Sequence, residues 1–411
     1  MPTTENLSEE IFARLCSSKY LAGFVYRSPK YRQPTEKEAG DIVLWVHGWL
    51  IIFEVIWRNP DAGPDLKRFI QRIGSKRDQV RGDFDIYADP GVTITMTNEA
   101  GEATEYDHSH FNRNATRGVV IVDAPGLVGP LRAETLRLTI EAPHPITVMT
   151  RKDFEDVLAE ADTVGDLGVY LSDRHAFLGE VFSENPDPFL RLGESLEREL
   201  MGLYKLNANR FDVEAWRRSD DKRFWDRYRT ERREAIGRRD AENSESQMLD
   251  DLLARIRAGH RPDSNTLYHA WELALTQRRE RVNINRRIQS KYDTLMRTGK
   301  DEHFAVKNFH SGCWDVFYLH LGLDTQSFRA EAQRMAERKM WVERALNNFQ
   351  QTVLCFALRY SPLGDGDITE VFLPGVHASQ CSTVIPEQLA EARKYFAGLT
   401  ESKPVVEFPE G

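Results

Sequence analysis

Two acidic residues, Asp41 and Glu54, lie in parts of the sequence that are otherwise apolar. Asp41 begins the run Asp-Ile-Val-Leu-Trp-Val, and Glu54 lies inside the run Ile-Ile-Phe-Glu-Val-Ile-Trp. Because burying an unpaired carboxylate costs several kcal/mol, we expect Glu54 to have a cationic partner or to bind a metal ion. Carboxylates are good ligands for hard divalent cations, which assist the hydrolysis of phosphate esters. These residue types therefore indicate a candidate site for a hard divalent cation, one use of which is the hydrolysis of phosphate esters.

Glu54 also has a purely structural interpretation. Side chains alternate between the two faces of a strand, so Arg58 lies on the same face of the predicted strand as Glu54. An ion pair of Glu54 with Arg58 or another arginine would satisfy a buried carboxylate without any metal. The sequence leaves both interpretations open, and Arg58 is also a candidate for offsetting negative charge in catalysis.

The elements around these residues follow an α/β pattern. Two β-branched and aromatic runs flank His47-Gly48, which predicts a buried β-hairpin over residues 41–57. Residues 7–18 predict a short helix, and a second helix is predicted after the hairpin, with an apolar face formed by Leu66, Phe69, Ile70 and Ile73. Further strands are predicted at Val92–Thr97, Gly118–Val122 and Leu136–Ile140. We therefore expect an α/β fold whose N-terminal core contains a mixed sheet.

The length of 411 residues favours two domains. We predict an α/β domain over residues 1–150 and a mainly α-helical region over residues 151–411. The helical expectation rests on the charge-dense stretch 190–260 and on stretches 268–298 and 327–347, with late strands expected at Val353–Leu373.

Composition narrows the classes of function. The net charge of −9 argues against a protein that coats nucleic acid, but it is compatible with an enzyme that grips nucleic acid through a local patch. The chain contains no apolar stretch of the roughly 20 residues that span a bilayer, and its start is polar and acidic. We therefore expect a cytoplasmic protein without membrane contact. The 4 cysteines contain no CxxC pair, so we expect buried free thiols.

The stretch from Lys37-Glu38 through Asp41 to Glu54-Val55, with the following helix to Ser75-Lys76-Arg77-Asp78-Gln79, resembles the PD-(D/E)XK nucleases. The similarity is to a bacterial branch of largely uncharacterised nuclease-like proteins, and it covers residues 1–150. The resemblance implies nucleic acid as the partner and Mg²⁺ or Mn²⁺ as the cofactor, bound by Glu38, Asp41 and Glu54. It also implies that Gln79 orients a water or a phosphate, and it suggests a role in bacterial defence.

The sequence departs from that family at Ile56, which stands where the family has a lysine. Arg58, two residues further on the same strand face, can supply the missing cation. Lys67 or Lys76 can supply it from the following helix. The alternative is a catalytically inactive nuclease fold that serves as a sensor or scaffold, with a protein partner or a second copy of itself. A third hypothesis is an unrelated α/β enzyme with its site around His310–His320.

Other patterns carry less weight. The His108-Ser-His110 pair and the His310/Cys313 pair have ligand-like spacing, but each lacks further ligands nearby in sequence. Basic stretches at 217–239 and 278–287 can contact phosphate, with Trp225 and Tyr228 as candidates for base stacking. A solvated helix face with internal ion pairs is the simpler interpretation of these stretches.

Overall fold

A computed structural model describes the chain except for residues 1–3, 18–20, 22–23, 33–34, 47, 59–65, 100, 102, 125–127, 143–144, 162, 183, 234–235, 238–246, 259–263, 277, 309–310, 348, 363–366, 382–385 and 397–411. The chain forms two compact units, Met1–Gly237 and Arg238–Gly411. The predicted boundary at residue 150 falls inside the first unit, because helices after that residue pack against the N-terminal sheet.

The first unit is built on an 8-stranded mixed sheet. Its strands are β1 (Val25–Arg32), β2 (Glu36–Glu38), β3 (Ile42–Val46), β4 (Trp49–Trp57), β5 (Ile94–Thr97), β6 (Ala103–Glu105), β7 (Thr116–Asp123) and β8 (Ile146–Thr150). The strand order is β6-β5-β1-β3-β4-β7-β8, with β2 paired to β1. Strands β3 and β4 are antiparallel, whereas β4, β7 and β8 run parallel to one another.

Nine described helices of more than three residues accompany this sheet. They are α1 (Thr4–Ser17), α2 (Leu66–Ala88), α3 (Val128–Ile140), α4 (Arg151–Leu158), α5 (Val164–Val181), α6 (Asp187–Leu192), α7 (Leu196–Leu206), α8 (Val213–Arg218) and α9 (Phe224–Glu231). Helix α2 follows β4 in the chain and packs on β4 and β7, which places it over the part of the sheet whose strands are parallel.

The predicted hairpin and the helix after it are confirmed. Strand β3 pairs with β4 from Ile42 opposite Phe53 to Val46 opposite Trp49. All of β3 and the interior of β4 are buried, which agrees with their apolar sequences. Helix α2 buries Phe69 and Ile73 on its apolar face and extends well past them to Ala88.

The prediction of a strand at Leu136–Ile140 is wrong, because these residues are the last turns of α3. Its buried face includes polar residues, which hid the helical period. Arg132 is buried against Asp153, and the Thr139 hydroxyl donates to the Thr135 carbonyl (2.9 Å) and accepts from Val148 N (2.9 Å). The strand of this region is β8, which begins at Ile146, six residues after the end of α3.

The segment Arg27–Glu38, where no strand was predicted, contributes most of β1 and all of β2. Ser28 has φ +43°, and the pairing of β1 with β5 shifts register between Arg27 and Lys30. Such a bulge interrupts the alternation of side chains by which a strand is recognised in sequence.

The second unit combines helices with a 5-stranded sheet. Its elements are α10 (Gln247–Ala258), α11 (Ser264–Leu275), α12 (Arg278–Thr298), β9 (Glu302–Lys307), β10 (Trp314–Leu321), α13 (Thr325–Asn347), β11 (Thr352–Tyr360), β12 (Ile368–Phe372), β13 (Gly375–His377) and α14 (Pro386–Phe396). The predicted helices and the late strands are present, whereas β9 and β10 were not predicted. Among the described residues, no helix has the length and apolarity to cross a membrane.

The cysteines are free, and Cys16, Cys313 and Cys355 are buried as expected, while Cys381 is half-buried.

Candidate functional site

The β3–β4 hairpin places the two predicted carboxylates side by side. Asp41 N donates to the Phe53 carbonyl (3.0 Å), one residue before Glu54. The Asp41 carboxylate accepts a hydrogen bond from Val55 N (2.7 Å), so its Oδ2 is held against β4. Glu54 has a relative exposure of 0%, whereas Asp41 is half-buried. One carboxylate thus lies inside the protein and the other at the edge of the interior.

Gly40 sets the path of the chain into this hairpin. Its φ of +98° is one that residues with a side chain rarely adopt, and a Cβ at this position would lie 2.7 Å from Ile52 Cγ2. The chain passes this close to β4 immediately before Asp41. Glycine at position 40 is therefore part of how the Asp41 carboxylate reaches β4.

Helix α2 supplies the partners of Glu54. Lys76 Nζ forms an ion pair with Glu54 Oε2, and Gln79 Nε2 donates to Glu54 Oε1 (2.7 Å). Both oxygens of the buried carboxylate are thus occupied by side chains of one helix. Of the three cations that the sequence left open, Lys76 is the one that forms an ion pair with Glu54.

The same face of α2 carries a further acid, Asp83, which sequence reasoning missed. Residues 76, 79 and 83 follow a spacing of three and four and so lie on one helical face. Asp83 has a relative exposure of 5%, and its Oδ2 has no hydrogen-bond partner. The sequence does contain an indication of its burial. Val80 and Phe84 belong to the apolar face of α2 and lie beside Asp83, which predicts that position 83 is buried.

Burial and, after it, neighbouring negative charge determine the electrostatics of this cluster. Burial and the charge of Asp41 together raise the pKa of Glu54 to about 8, although Lys76 opposes both. Burial likewise raises the pKa of Asp83 to about 7, with Lys76 lowering it and Asp41 raising it. Burial lowers the pKa of Lys76, but the charges of Glu54 and Asp41 outweigh burial and raise it above its usual value.

This donor set fits a divalent cation of the Mg²⁺ type. The carboxylate oxygens of Asp41 and Glu54 are hard ligands of the kind that such a cation prefers. Added positive charge would stabilise the ionised carboxylates, whose pKa values are raised by burial and, to a smaller extent, by the charge of Asp41. In the described part of the chain, no group of three or more His, Cys, Asp or Glu residues is arranged to hold a metal ion. Asp41 and Glu54 are therefore the candidate ligands in the arrangement seen.

Several predicted site residues lie elsewhere. Glu38 is exposed on β2, where its neighbour across the strands is Lys30 of β1. The guanidinium of Arg58 lies over the Phe69 ring at 5.9 Å, while Lys76 is the cation that pairs with Glu54. Lys67 is exposed in the first turn of α2. Of the predicted residues, the structure thus brings together Asp41, Glu54, Lys76 and Gln79.

The histidine patterns serve other contacts. His108 lies between two backbone carbonyls, with Nδ1 2.9 Å from Tyr87 O and Nε2 2.6 Å from Val92 O. His310 lies outside the described residues, and His320 Nδ1 is 2.9 Å from Asp301 Oδ1. His108 of the His108-Ser-His110 pair therefore connects the end of α2 with the segment after it.

Several residues of the basic stretches make contacts within the protein. Arg217 pairs with Glu184 and Glu214, and Arg281 is buried and donates to the Thr276 carbonyl (2.8 Å). Tyr228 has a relative exposure of 0%, so its ring is not available for stacking on a base. These contacts favour the simpler interpretation of ion-paired helix faces.

Comparison of the chain with protein-family models, with curated proteins and with solved structures found no match in any of the three. The resemblance to PD-(D/E)XK nucleases thus stays a prediction, carried by residues 37–79.

Proposed function

We propose that the protein is a metal-dependent nuclease that hydrolyses phosphodiester bonds of nucleic acid. The observation that carries this proposal is the ion pair between Lys76 and Glu54 beside Asp41. It joins two carboxylates suited to a hard cation with an ammonium suited to a phosphate. The lysine expected at position 56 is supplied by the helix instead of the strand.

Each side chain has a role that its position allows. Asp41 and Glu54 would hold Mg²⁺ or Mn²⁺, which when bound lowers the pKa of a water and polarises the phosphate. The ammonium of Lys76 stabilises negative charge that develops on the phosphate oxygens. The amide of Gln79 orients a water or a phosphate oxygen by hydrogen bonding.

The exposure of these groups is compatible with a polymeric substrate. Glu54 is buried, whereas Asp41 and Lys76 are half-buried and Gln79 is exposed. A phosphate can therefore approach from the side of Lys76 and Gln79 without opening the core. The half-exposed lysine can also turn from Glu54 toward a bound anion, since its side chain retains 29% of its exposure.

Cleavage assays test the proposal. Plasmid DNA, single-stranded DNA and RNA are incubated with Mg²⁺ or Mn²⁺ and with wild type, Glu54→Gln or Lys76→Ala protein. We expect cleavage by wild type and a loss of about 10²–10³-fold in either variant, in line with the removal of one charge-stabilising group. Lys67→Ala is the matched control, because Lys67 is an exposed lysine of the same helix.

A second candidate is an inactive nuclease fold that acts as a sensor or scaffold. It is favoured by Ile56, which has a relative exposure of 2% and leaves the motif position without a cation. Absence of cleavage with either metal, by proteins shown to be folded, would favour this candidate and a search for protein partners or self-association.

The family resemblance extends the nuclease proposal to cytoplasmic defence against foreign DNA. Plating efficiency of phage on cells that express wild type or Glu54→Gln protein tests this extension. Equal plating on both strains would contradict it.

A further inference from the structure

We propose that a groove on strands β1 and β5 binds a single strand of nucleic acid through its phosphates. The groove has a volume of about 540 Å³, and its lining includes Arg27, Lys30, Arg32, Thr93, Thr95 and Thr97. We call it the β1–β5 groove. This inference rests on the proposed function and deepens it, because it states where the substrate is held and in which form.

The bulge in β1 brings the cations of the groove to one face of the sheet. Arg27 lies opposite Thr97 of β5, and after the register shift Lys30 lies opposite Thr95. Residues two apart on a strand share a face, so the two threonines point the same way, and the two cations opposite them do so too. In an uninterrupted strand, residues 27 and 30 would point to opposite faces. The sequence pattern therefore does not reveal this patch.

The groove is basic although the chain has a net charge of −9. Among the described residues that line it, three are cations, Arg27, Lys30 and Arg32, and one is an acid, Glu36. Lys30 Nζ lies 3.1 Å from Glu36 Oε1, and the two side chains retain 50% and 65% of their exposure. Because such exposed ion pairs contribute little, the ammonium of Lys30 can exchange this carboxylate for a phosphate. The charge of the groove is thus complementary to a polyanion.

The other side of the groove suits phosphates as well. Thr93 and Thr95 are exposed on β5, and threonine hydroxyls commonly donate to phosphate oxygens. The volume of the groove is that of a pocket for a small ligand, so it admits part of one strand and not the width of a duplex.

The groove adjoins the segment that carries Asp41. Ser28 also lines the groove, and its backbone N–H donates to the Asp41 carbonyl (3.0 Å). The next contact along β1 joins Ala39 N to the Pro29 carbonyl (2.8 Å). A strand bound in the groove therefore lies beside the chain that leads into the candidate site.

The groove and the Glu54 carboxylate lie on opposite faces of the sheet. Arg27 is opposite Ile42, and Ile42 is opposite Phe53, so these three side chains share a face. Glu54 follows Phe53 and points to the other face. A bound strand must therefore bend around the start of β3 to reach Glu54. A duplex resists such a bend, because its persistence length is about 50 nm.

Fluorescence anisotropy of a labelled single-stranded DNA oligonucleotide, in EDTA to prevent metal-dependent cleavage, tests the inference. We expect the Lys30→Ala/Arg32→Ala protein to bind at least about tenfold more weakly than wild type. The slope of log affinity against log salt should be less steep by about 1.4, since two phosphate contacts are lost. Thr95→Glu, which places a negative charge in the groove and removes no cation, should also weaken binding.

The matched control is the Lys152→Ala/Arg191→Ala protein. Lys152 and Arg191 are exposed cations of the first unit, each pairs with an aspartate on its own helix, and neither lines the groove. We expect this variant to bind with the affinity and the salt dependence of wild type. An equal loss in the control and in Lys30→Ala/Arg32→Ala would overturn the inference.

Competition identifies the occupant. Unlabelled single-stranded DNA should displace the probe better than duplex DNA of the same length and better than a poly-glutamate peptide. Equal displacement by the duplex would overturn the assignment to a single strand. Equal displacement by the peptide would overturn the assignment to nucleic acid.

The outcomes separate this inference from the proposed function. If Lys30→Ala/Arg32→Ala binds like wild type while Glu54→Gln loses cleavage, the groove does not hold the substrate and the nuclease proposal stands. If wild type binds the oligonucleotide through the groove but cleaves no nucleic acid, the inference stands and the nuclease proposal fails. Absence of binding by wild type would overturn the inference.

Discussion

The hydroxyl of Tyr87 donates a hydrogen bond to the carbonyl of Ala39 at 3.2 Å. Tyr87 belongs to the last turn of α2, and Ala39 lies two residues before Asp41. The Tyr87 ring is fully buried and meets Tyr106 edge to face, with centroids 4.9 Å apart. This contact therefore holds the helix that carries Lys76 against the segment that carries Asp41.

Tyr87→Phe should loosen that connection. We expect a loss of about 1 kcal/mol in the free energy of unfolding, because one buried hydrogen bond disappears. Cleavage should fall several-fold through kcat more than KM, since the groups are displaced and not removed. Tyr170→Phe is the control, because its hydroxyl bonds Glu197 (2.7 Å), and it should affect stability without affecting cleavage. Equal cleavage by Tyr87→Phe and wild type would contradict a positioning role.

A lysine placed at position 56 tests whether the cation can come from strand β4 instead of from helix α2. Ile56→Lys alone should lower stability, because it buries an ammonium while Glu54 already pairs with Lys76. In the Lys76→Ala background the same substitution should restore part of the lost cleavage, since position 56 lies on the same strand face as Glu54. Urea unfolding and cleavage rates are measured for both single variants and the double variant. Together they give the interaction free energy between positions 56 and 76. A double variant no more active than Lys76→Ala would contradict this expectation.

The stability of the metal-free protein should depend on pH through Glu54. Folding raises its pKa from 4.5 to about 8, so the folded chain binds the proton more tightly than the unfolded chain. The stabilisation of the folded protein by proton binding to Glu54 is complete below about pH 4.5 and is lost as the pH rises through about 8. The unfolding temperature of wild type should therefore fall between pH 5 and pH 8 relative to that of Glu54→Gln. Parallel curves for the two proteins would refute the assignment, and Glu141→Gln, an exposed acid, should follow wild type.

Arg174 and Glu197 should matter for stability alone. Their side chains have relative exposures of 1% and 0% and form a two-point ion pair between α5 and α7. Arg174→Met leaves the Glu197 carboxylate buried without its cation, and we expect a loss of about 3–5 kcal/mol in the free energy of unfolding. Arg137→Met is the control, because Arg137 pairs with Glu134 and Glu141 on an exposed face, where ion pairs contribute little. Urea unfolding measures both, and a similar small loss in each would contradict the prediction.

The parts of the site that follow from local pattern were predictable. Asp41 and Glu54 stand out because they interrupt apolar strands, and the hairpin that pairs them follows from the runs on either side of His47-Gly48. The choice among Arg58, Lys67 and Lys76 was not predictable. It depends on how far α2 is rotated and shifted over β4, which the sequence does not specify locally.

The unpredicted elements share a physical cause. The buried face of α3 includes Arg132, Thr135 and Thr139, whose side chains bond to Asp153 and to backbone atoms. A search for apolar residues at helical spacing therefore does not recognise this face of the helix. Strand β1 has its bulge at Ser28 and charged residues on its exposed side, so its alternation is also broken. In both places tertiary contacts override the local signal.

The delivery of the ammonium by α2 has a consequence for how such sites diverge between proteins. Because Lys76 reaches Glu54 from a different element, the number of residues between them is set by a connecting segment and not by strand geometry. Insertions or deletions in that segment would alter the linear signature while the geometry of the Lys76–Glu54 pair stayed the same. Position 56 then needs no lysine and can hold a residue that packs well. A sequence pattern with a fixed interval between the glutamate and the lysine would therefore miss related proteins that keep the same arrangement.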